Sequence, residues 1–151
     1  MRILTFGSCL SRYTAEHFIL LFGGRIVSCV YHNRSDAFVG KFLRRDWSSY
    51  DFDEMFRLLK KDWTFTHPDA DPALILRNQY KETLGLHRLP GGYSLFSALK
   101  RKNFDLIIAD NYMDLAARLV TRKGDVNAGL FLRPFDLAND TPDWVRGEFL
   151  K

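Results

Sequence analysis

Two features that decide the class of many small chains are nearly missing. Cysteine is scarce: only Cys9 and Cys29 occur in 151 residues. That is too few for the disulfide framework of a small secreted domain, and reduced thiols in the cytosol are the expectation. Long apolar runs are also lacking. Glu16 and Arg25 interrupt the best candidate, which stays short of the roughly 18 residues of a transmembrane helix. The Ile26-Val27-Ser28-Cys29 run has a faint look of a lipoprotein cleavage site, but no continuous apolar stretch precedes it. The phosphate loops Gly-x-x-x-x-Gly-Lys-Ser/Thr and Gly-x-Gly-x-x-Gly are absent as well, which argues against standard nucleotide chemistry. No internal repeat or low-complexity tract is present, and no metal site is expected.

What is there suits a folded globule. Apolar residues make up 46% and aromatics 15% of the chain, enough for a core of ordinary size in one domain covering 1–151. The net charge of +4 and pI near 9.2 would suit an anionic partner. The cations, however, come in small separate groups (Arg44-Arg45, Lys60-Lys61, Lys100-Arg101-Lys102, Arg122-Lys123) with acids between them. Such groups read as solvated faces, so no nucleic-acid partner is expected.

Periodicity gives the architecture. Arg2 to Phe6 is a short β-favouring run closed by Gly7. From Leu10 the apolar positions fall at Leu10, Tyr13, His17/Phe18 and Leu21, which predicts a helix to about Phe22 stopped by Gly23-Gly24. Arg25 to Tyr31 predicts a second strand. Strand, helix and strand in some thirty residues make a βαβ unit, hence parallel pairing. Asp51 or Asp53 is expected to cap a helix carrying Met55, Phe56, Leu58 and Leu59. Pro72 suits the first position of a helix to about Leu84, with Gly85 ending it. Tyr93 to Lys102 reads as an amphipathic helix, Asp105 to Ala109 as a strand, Met113 to Val120 as a helix, and Gly129 to Leu132 as a possible fourth strand. The expected fold is α/β, with a small parallel sheet of three to four strands.

In parallel α/β sheets ligands bind where strand ends, loops and helix N-termini converge. Three polar groups share that edge: Ser8-Cys9 after the first strand, His32-Asn33-Arg34-Ser35 after the second and Asp110-Asn111 after the third. A thiol at a helix N-terminus has its thiolate stabilised by unpaired N–H groups, which makes Cys9 a candidate nucleophile. The same N–H groups suit an oxyanion or a phosphate. Plainer roles also fit: Cys9 as a small core residue, Ser8 as a helix cap, Asp110 as the cap of the helix after it. His17 reads as a packed or surface residue and His67, before Pro68, as part of a turn. His87 lies in a polar loop with no packing need for an imidazole.

The run Phe6-Gly7-Ser8-Cys9-Leu10-Ser11 resembles the first block of the SGNH/GDSL hydrolases, Phe-Gly-Asp-Ser-Leu-Ser, with Cys9 where that superfamily has its serine nucleophile. It is also similar to the Gly-Asn-Cys turn of the WcbI-type acetyltransferases of capsular polysaccharide biosynthesis, and to a related group beginning Gly-Ser-Cys-Val/Leu-Ser/Thr-Arg. The Asp-Leu-Ile-Ile-Ala-Asp-Asn run resembles the strand leading to their second polar block. The two matches cover about fifteen residues. The resemblance implies a Rossmann-like three-layer fold, and an oxyanion-binding role for Asn111. It implies acyl transfer to or from a carbohydrate hydroxyl, with coenzyme A as a possible donor. Cys9, Asn111 and a histidine base, His32 or His87, would be catalytic; Ser8, Ser11, Arg12, Asn33, Arg34 and Asp110 would bind the ligand. A non-catalytic phosphate- or glycan-binding module using the same turn is the alternative. The Asp-x-x-His block of the hydrolases has no counterpart, Asp143-Trp144-Val145-Arg146 being the nearest segment. With so few strands, either self-association or a longer parent chain supplying strands and a base is expected.

Overall fold

The computed structural model describes residues 1–58, 71–82, 94–125, 127–131 and 144–146. Strand β1 (Arg2–Gly7), helix α1 (Cys9–Phe22) and strand β2 (Arg25–Tyr31) follow the sequence periodicity closely. With β3 (Leu106–Ala109) they form a parallel sheet of order β2-β1-β3. The chain is thus a mixed α/β protein.

Alternation along β1 divides the sheet into two buried faces. Ile3 packs with Ala15 of α1 and with Ile26, Cys29 and Tyr31 of β2. Leu4 packs on the other side, with Val27, Val30, Phe38, Leu95 and Ala98. Ile26 and Cys29 are three residues apart, a spacing that strict alternation would place on opposite faces. A register irregularity between Ile3 and Leu4, where pairing jumps from Ile26 to Ser28, lets both face α1. The far face is covered by α5 (Leu95–Arg101), capped by Ser94, and by α2 (Ser35–Phe38) with its π-helical continuation Val39–Arg44. Helix α1, the sheet and this second set of helices form three layers.

The rest of the described chain builds a smaller unit. Helix α3 (Phe52–Leu58) starts where Asp51 accepts the Glu54 N–H at 2.9 Å. Helix α4 (Pro72–Asn78) has Pro72 in its first turn and Asp71 as cap. It ends at Asn78, with residues 79 and 80 in a turn, rather than running on to Leu84. The reason is tertiary: the Gln79 side chain turns to the Phe131 backbone, donating to its carbonyl at 2.7 Å and accepting its N–H at 2.8 Å. Met55, Leu76, Val120 and Leu130 form the core of this unit with Tyr50 and Ala128.

Two expectations are corrected here. The segment expected as a helix from Met113 to Val120 divides into α6 (Tyr112–Ala116) and strand β4 (Leu119–Arg122). Arg34 Nη1 donates to the Ala117 carbonyl at 2.6 Å where the backbone turns extended, and Val120 and Thr121 suit a strand better than a helix. The possible fourth strand exists as β5 (Leu130–Phe131), but it does not extend the parallel sheet. It pairs antiparallel with β4, which pairs antiparallel on its other side with β6 (Trp144–Arg146). Among the described residues the parallel sheet has three strands. No helix among them is long and apolar enough to cross a membrane.

Candidate functional site

The carboxyl ends of β1, β2 and β3 meet at one edge. Main-chain bonds knit them together: His32 N donates to Gly7 O and Asp110 N to Phe6 O, both at 3.0 Å. Gly7 has φ +137, a region closed to most L-residues, and Asp110 lies directly against it. A β-carbon at position 7 would stand 2.5 Å from Asp110 Oδ2 and 2.6 Å from Asp110 O. Glycine there allows both the turn and the close approach of the two strand ends.

Asp110 spends that approach on α1. Its Oδ2 accepts the N–H groups of Ser8 and Ser11, both at 3.0 Å, while Oδ1 accepts that of Tyr112 in α6 at 3.0 Å. One carboxylate therefore serves the first turns of two helices. Burial pushes this carboxyl up, but the N–H bonds from Ser8, Tyr112 and Ser11 outweigh it, and its pKa falls below the ordinary 3.8. Ser8 is the cap of α1, its Oγ accepting the Leu10 N–H at 3.1 Å, and the Ser11 hydroxyl returns to the Ser8 carbonyl at 3.1 Å. Among the described residues, the Cys9 N–H is left as the first-turn donor of α1 without an acceptor.

A folded-state pKa below the unfolded one gives stability that is complete above 3.8 and disappears as pH falls through the lower folded-state value. Asp105, held down to about 2 first by its hydrogen bond from Arg2, contributes to the same acid limb. Asp110→Asn is expected to lower stability at neutral pH by about 1–2 kcal/mol and to flatten, without abolishing, the loss on acidification. Urea unfolding across pH measures both.

Cys9 itself is half-buried at the first position of α1, its side chain packed against the apolar layer between α1 and the sheet. Cys29 is fully inside that layer, where burial pushes its thiol up. Asn111 stands at the end of β3, its side chain exposed and not used to cap α6. Exposed Tyr112 follows it.

After β2 the chain is held tightly. His32 is buried with φ +53, a left-handed conformation that costs a non-glycine residue about 1 kcal/mol or more. Its ring stacks on Tyr31 with centroids 3.7 Å apart, and its Nδ1 lies 3.2 Å from Asn78 Nδ2. Asn33 donates to the carbonyls of Tyr31 at 3.0 Å and Asn78 at 3.3 Å. Arg34 is buried and paired with Asp36 at 2.8 Å; Asp114 of α6 accepts both the N–H and the hydroxyl of Ser35. Arg12 pairs with Glu16 at 3.5 Å, and its guanidinium lies over the rings of Tyr13 and Tyr31.

The structure thus brings Ser8, Cys9, Ser11, Asp110 and Asn111 to one edge, with His32 beside Gly7. Asn33 and Arg34 stitch that edge to α4 and α6 from within the protein. His87 lies outside the described residues; His17 is exposed on α1. Sequence reasoning missed Asn78, which reads there as one more polar residue of a helix, and Asp114, whose partner is 79 residues away. Lys41, half-buried on the π-helical segment, is lowered by burial to about 8 against the opposing effect of Asp36, the partner of Arg34.

No protein-family model, curated protein or solved structure matches the chain. The fit to coenzyme A therefore rests on the residues alone, and it is poor. Arg12 and Arg34, the cations that would take its phosphates, already face Glu16 and Asp36, while Asp110 places a negative charge at the α1 terminus.

Proposed function

We propose that this protein transfers an acyl group between a carboxylic ester or thioester and a carbohydrate hydroxyl, with Cys9 as nucleophile. The carrying observation is the Cys9 N–H: Ser8 and Asp110 take the neighbouring donors of α1 and leave this one open beside the sulfur that would attack. The thiolate adds to the carbonyl carbon, and the resulting oxyanion receives the Cys9 N–H and the Asn111 amide. The tetrahedral adduct expels the donor's alcohol or thiol, which takes a proton, leaving a Cys9 thioester. The acceptor hydroxyl then attacks that thioester, gives up its proton and regenerates the thiolate.

His32 is the base this reading favours. Its strained backbone and its contact with Asn78 are the marks of a ring held for use, since strained residues gather at functional sites. Asn78 Nδ2 can only donate, so Nδ1 is the accepting nitrogen of the neutral ring, and a proton taken from Cys9 enters there in place of the Asn78 bond. Tyr112, exposed beside Asn111, offers a flat apolar surface for a sugar ring. The phosphate-binding alternative is disfavoured by charge, because Asp110 already fills the N–H cradle with a carboxylate.

Release of p-nitrophenol from p-nitrophenyl acetate tests the reading. Asn111→Ala is expected to lower kcat/KM by about a hundredfold, the usual cost of one oxyanion donor, with an unchanged circular dichroism spectrum because the side chain is exposed. A glycan-binding module would give no turnover above background in any variant.

A further inference from the structure

His32 and Asn78 meet inside the protein from 46 residues apart in sequence, with 4% and 2% of their surfaces in solvent. Asn33 fixes one against the other, because its amide donates both to the carbonyl of Tyr31, the residue before His32, and to that of Asn78. The bond between the Asn78 amide and His32 Nδ1 exists with the neutral ring alone. An imidazolium carries a hydrogen on each nitrogen, so its Nδ1–H would point at the amide hydrogens, and burial leaves little water to come between them. The charged side chains on the surrounding elements already have partners or face solvent. On α1, Arg12 pairs with Glu16 and lies over Tyr31, the ring on which His32 stacks. After β2, Arg34 pairs with Asp36, and Asp114 of α6 takes Ser35. After β3, Asp110 accepts the N–H groups of Ser8, Ser11 and Tyr112. Asp71 caps α4, whose Arg77 is exposed.

We propose that Asn78 is a positioning residue that holds His32 deprotonated and so sets the acid limit of the Cys9 chemistry. The use made of the proton rests on the acyl-transfer reading, whereas the state of the ring can be read without turnover. An ordinary histidine gains its proton at a pH of about 6.5. A hydrogen bond made only to the neutral form moves that point down, and with it the pH at which a base is lost. In the reaction the Cys9 thiol proton goes to Nδ1 and displaces the Asn78 bond. An imidazolium disfavoured in this way passes its proton readily to the departing alcohol or thiol.

NMR titration of the histidine ring signals in the intact chain tests the proposal, with His32 identified by its absence from His32→Asn. Wild-type His32 is expected to titrate below about 6.5. Asn78→Asp puts a carboxylate against Nδ1 and is expected to raise the midpoint by about one to three units. Asn78→Leu removes the donor while keeping water out, and is expected to raise it by about half a unit to one unit, the worth of one hydrogen bond. The acid limb of p-nitrophenyl acetate cleavage should move up by the same amounts. Asn78→Asp preserves the shape of the side chain, so it decides the matter even where leucine does not fit. A wild-type midpoint above about 6.5, or one unmoved in Asn78→Asp, overturns the proposal. So does a midpoint that falls in Asn78→Leu, the result for an amide turned to accept from Nδ1–H. Midpoints that shift as expected with no ester cleavage in wild type support the hold of Asn78 on the ring and count against the acyl-transfer reading alone.

Discussion

Gly7→Ala is expected to be among the most damaging single-methyl changes in this chain. Two independent costs coincide at that position. The backbone at φ +137 is unfavourable for any residue with a β-carbon, which costs about 1–3 kcal/mol. The added carbon also lands 2.5 Å from Asp110 Oδ2, so the carboxylate must move. Moving it removes the acceptor of Ser8 N and Ser11 N, a further loss of about 1–3 kcal/mol if those donors find no substitute. A total near 3 kcal/mol or more is a large share of a small domain's stability. A fall in the urea midpoint far beyond that of Asp110→Asn checks it, because Gly7→Ala carries the same loss plus the backbone cost. Equal midpoints for the two variants would mean that the turn relaxes and that Gly7 is not under conformational demand.

Cys9→Ala carries the largest expected effect on activity. If the acyl group passes through the Cys9 sulfur, its removal should reduce ester cleavage about a thousandfold or to background, since no neighbouring hydroxyl is free to replace it. The Ser8 hydroxyl is already committed to Leu10 N, and that of Ser11 to the Ser8 carbonyl. Stability should change little, because Cys9 is half-buried at a helix start. Cys29→Ala should behave in the opposite way. Cys29 is buried in the apolar layer beside Ile3, Ala15 and Tyr31, so truncation costs stability through the space it leaves, with turnover largely kept. Assaying p-nitrophenyl acetate cleavage and urea unfolding for both variants separates chemistry from packing.

These two positions also show what was legible in the sequence. The unit β1-α1-β2 could be read because its signals are local: a β-favouring run, Gly7, a change of period, and Gly23-Gly24. The strand at Leu106–Ala109 was legible for the same reason. Beyond Asp110 the determinants are distant in sequence. Leu119–Arg122 become a strand because 130–131 and 144–146 pair with them, and α4 stops because Gln79 has a partner at Phe131. Asp110 was half legible. Its cap of Tyr112 is two residues away, whereas its bonds to Ser8 and Ser11 span about a hundred residues and exist only once β1 and β3 are paired. Asn78 gave no local sign at all, since its contact with His32 depends on how α4 meets the end of β2.

The central claim is that Cys9 carries the acyl group, and intact-protein mass measurement after brief exposure to p-nitrophenyl acetate at neutral pH tests it most directly. The account predicts one added acetyl, mapped to Cys9 by peptide analysis, lost on addition of hydroxylamine as a thioester should be, and absent from Cys9→Ala but not from Cys29→Ala. Unmodified wild-type protein, or an acetyl on lysine or Cys29 with Cys9 untouched, would contradict it.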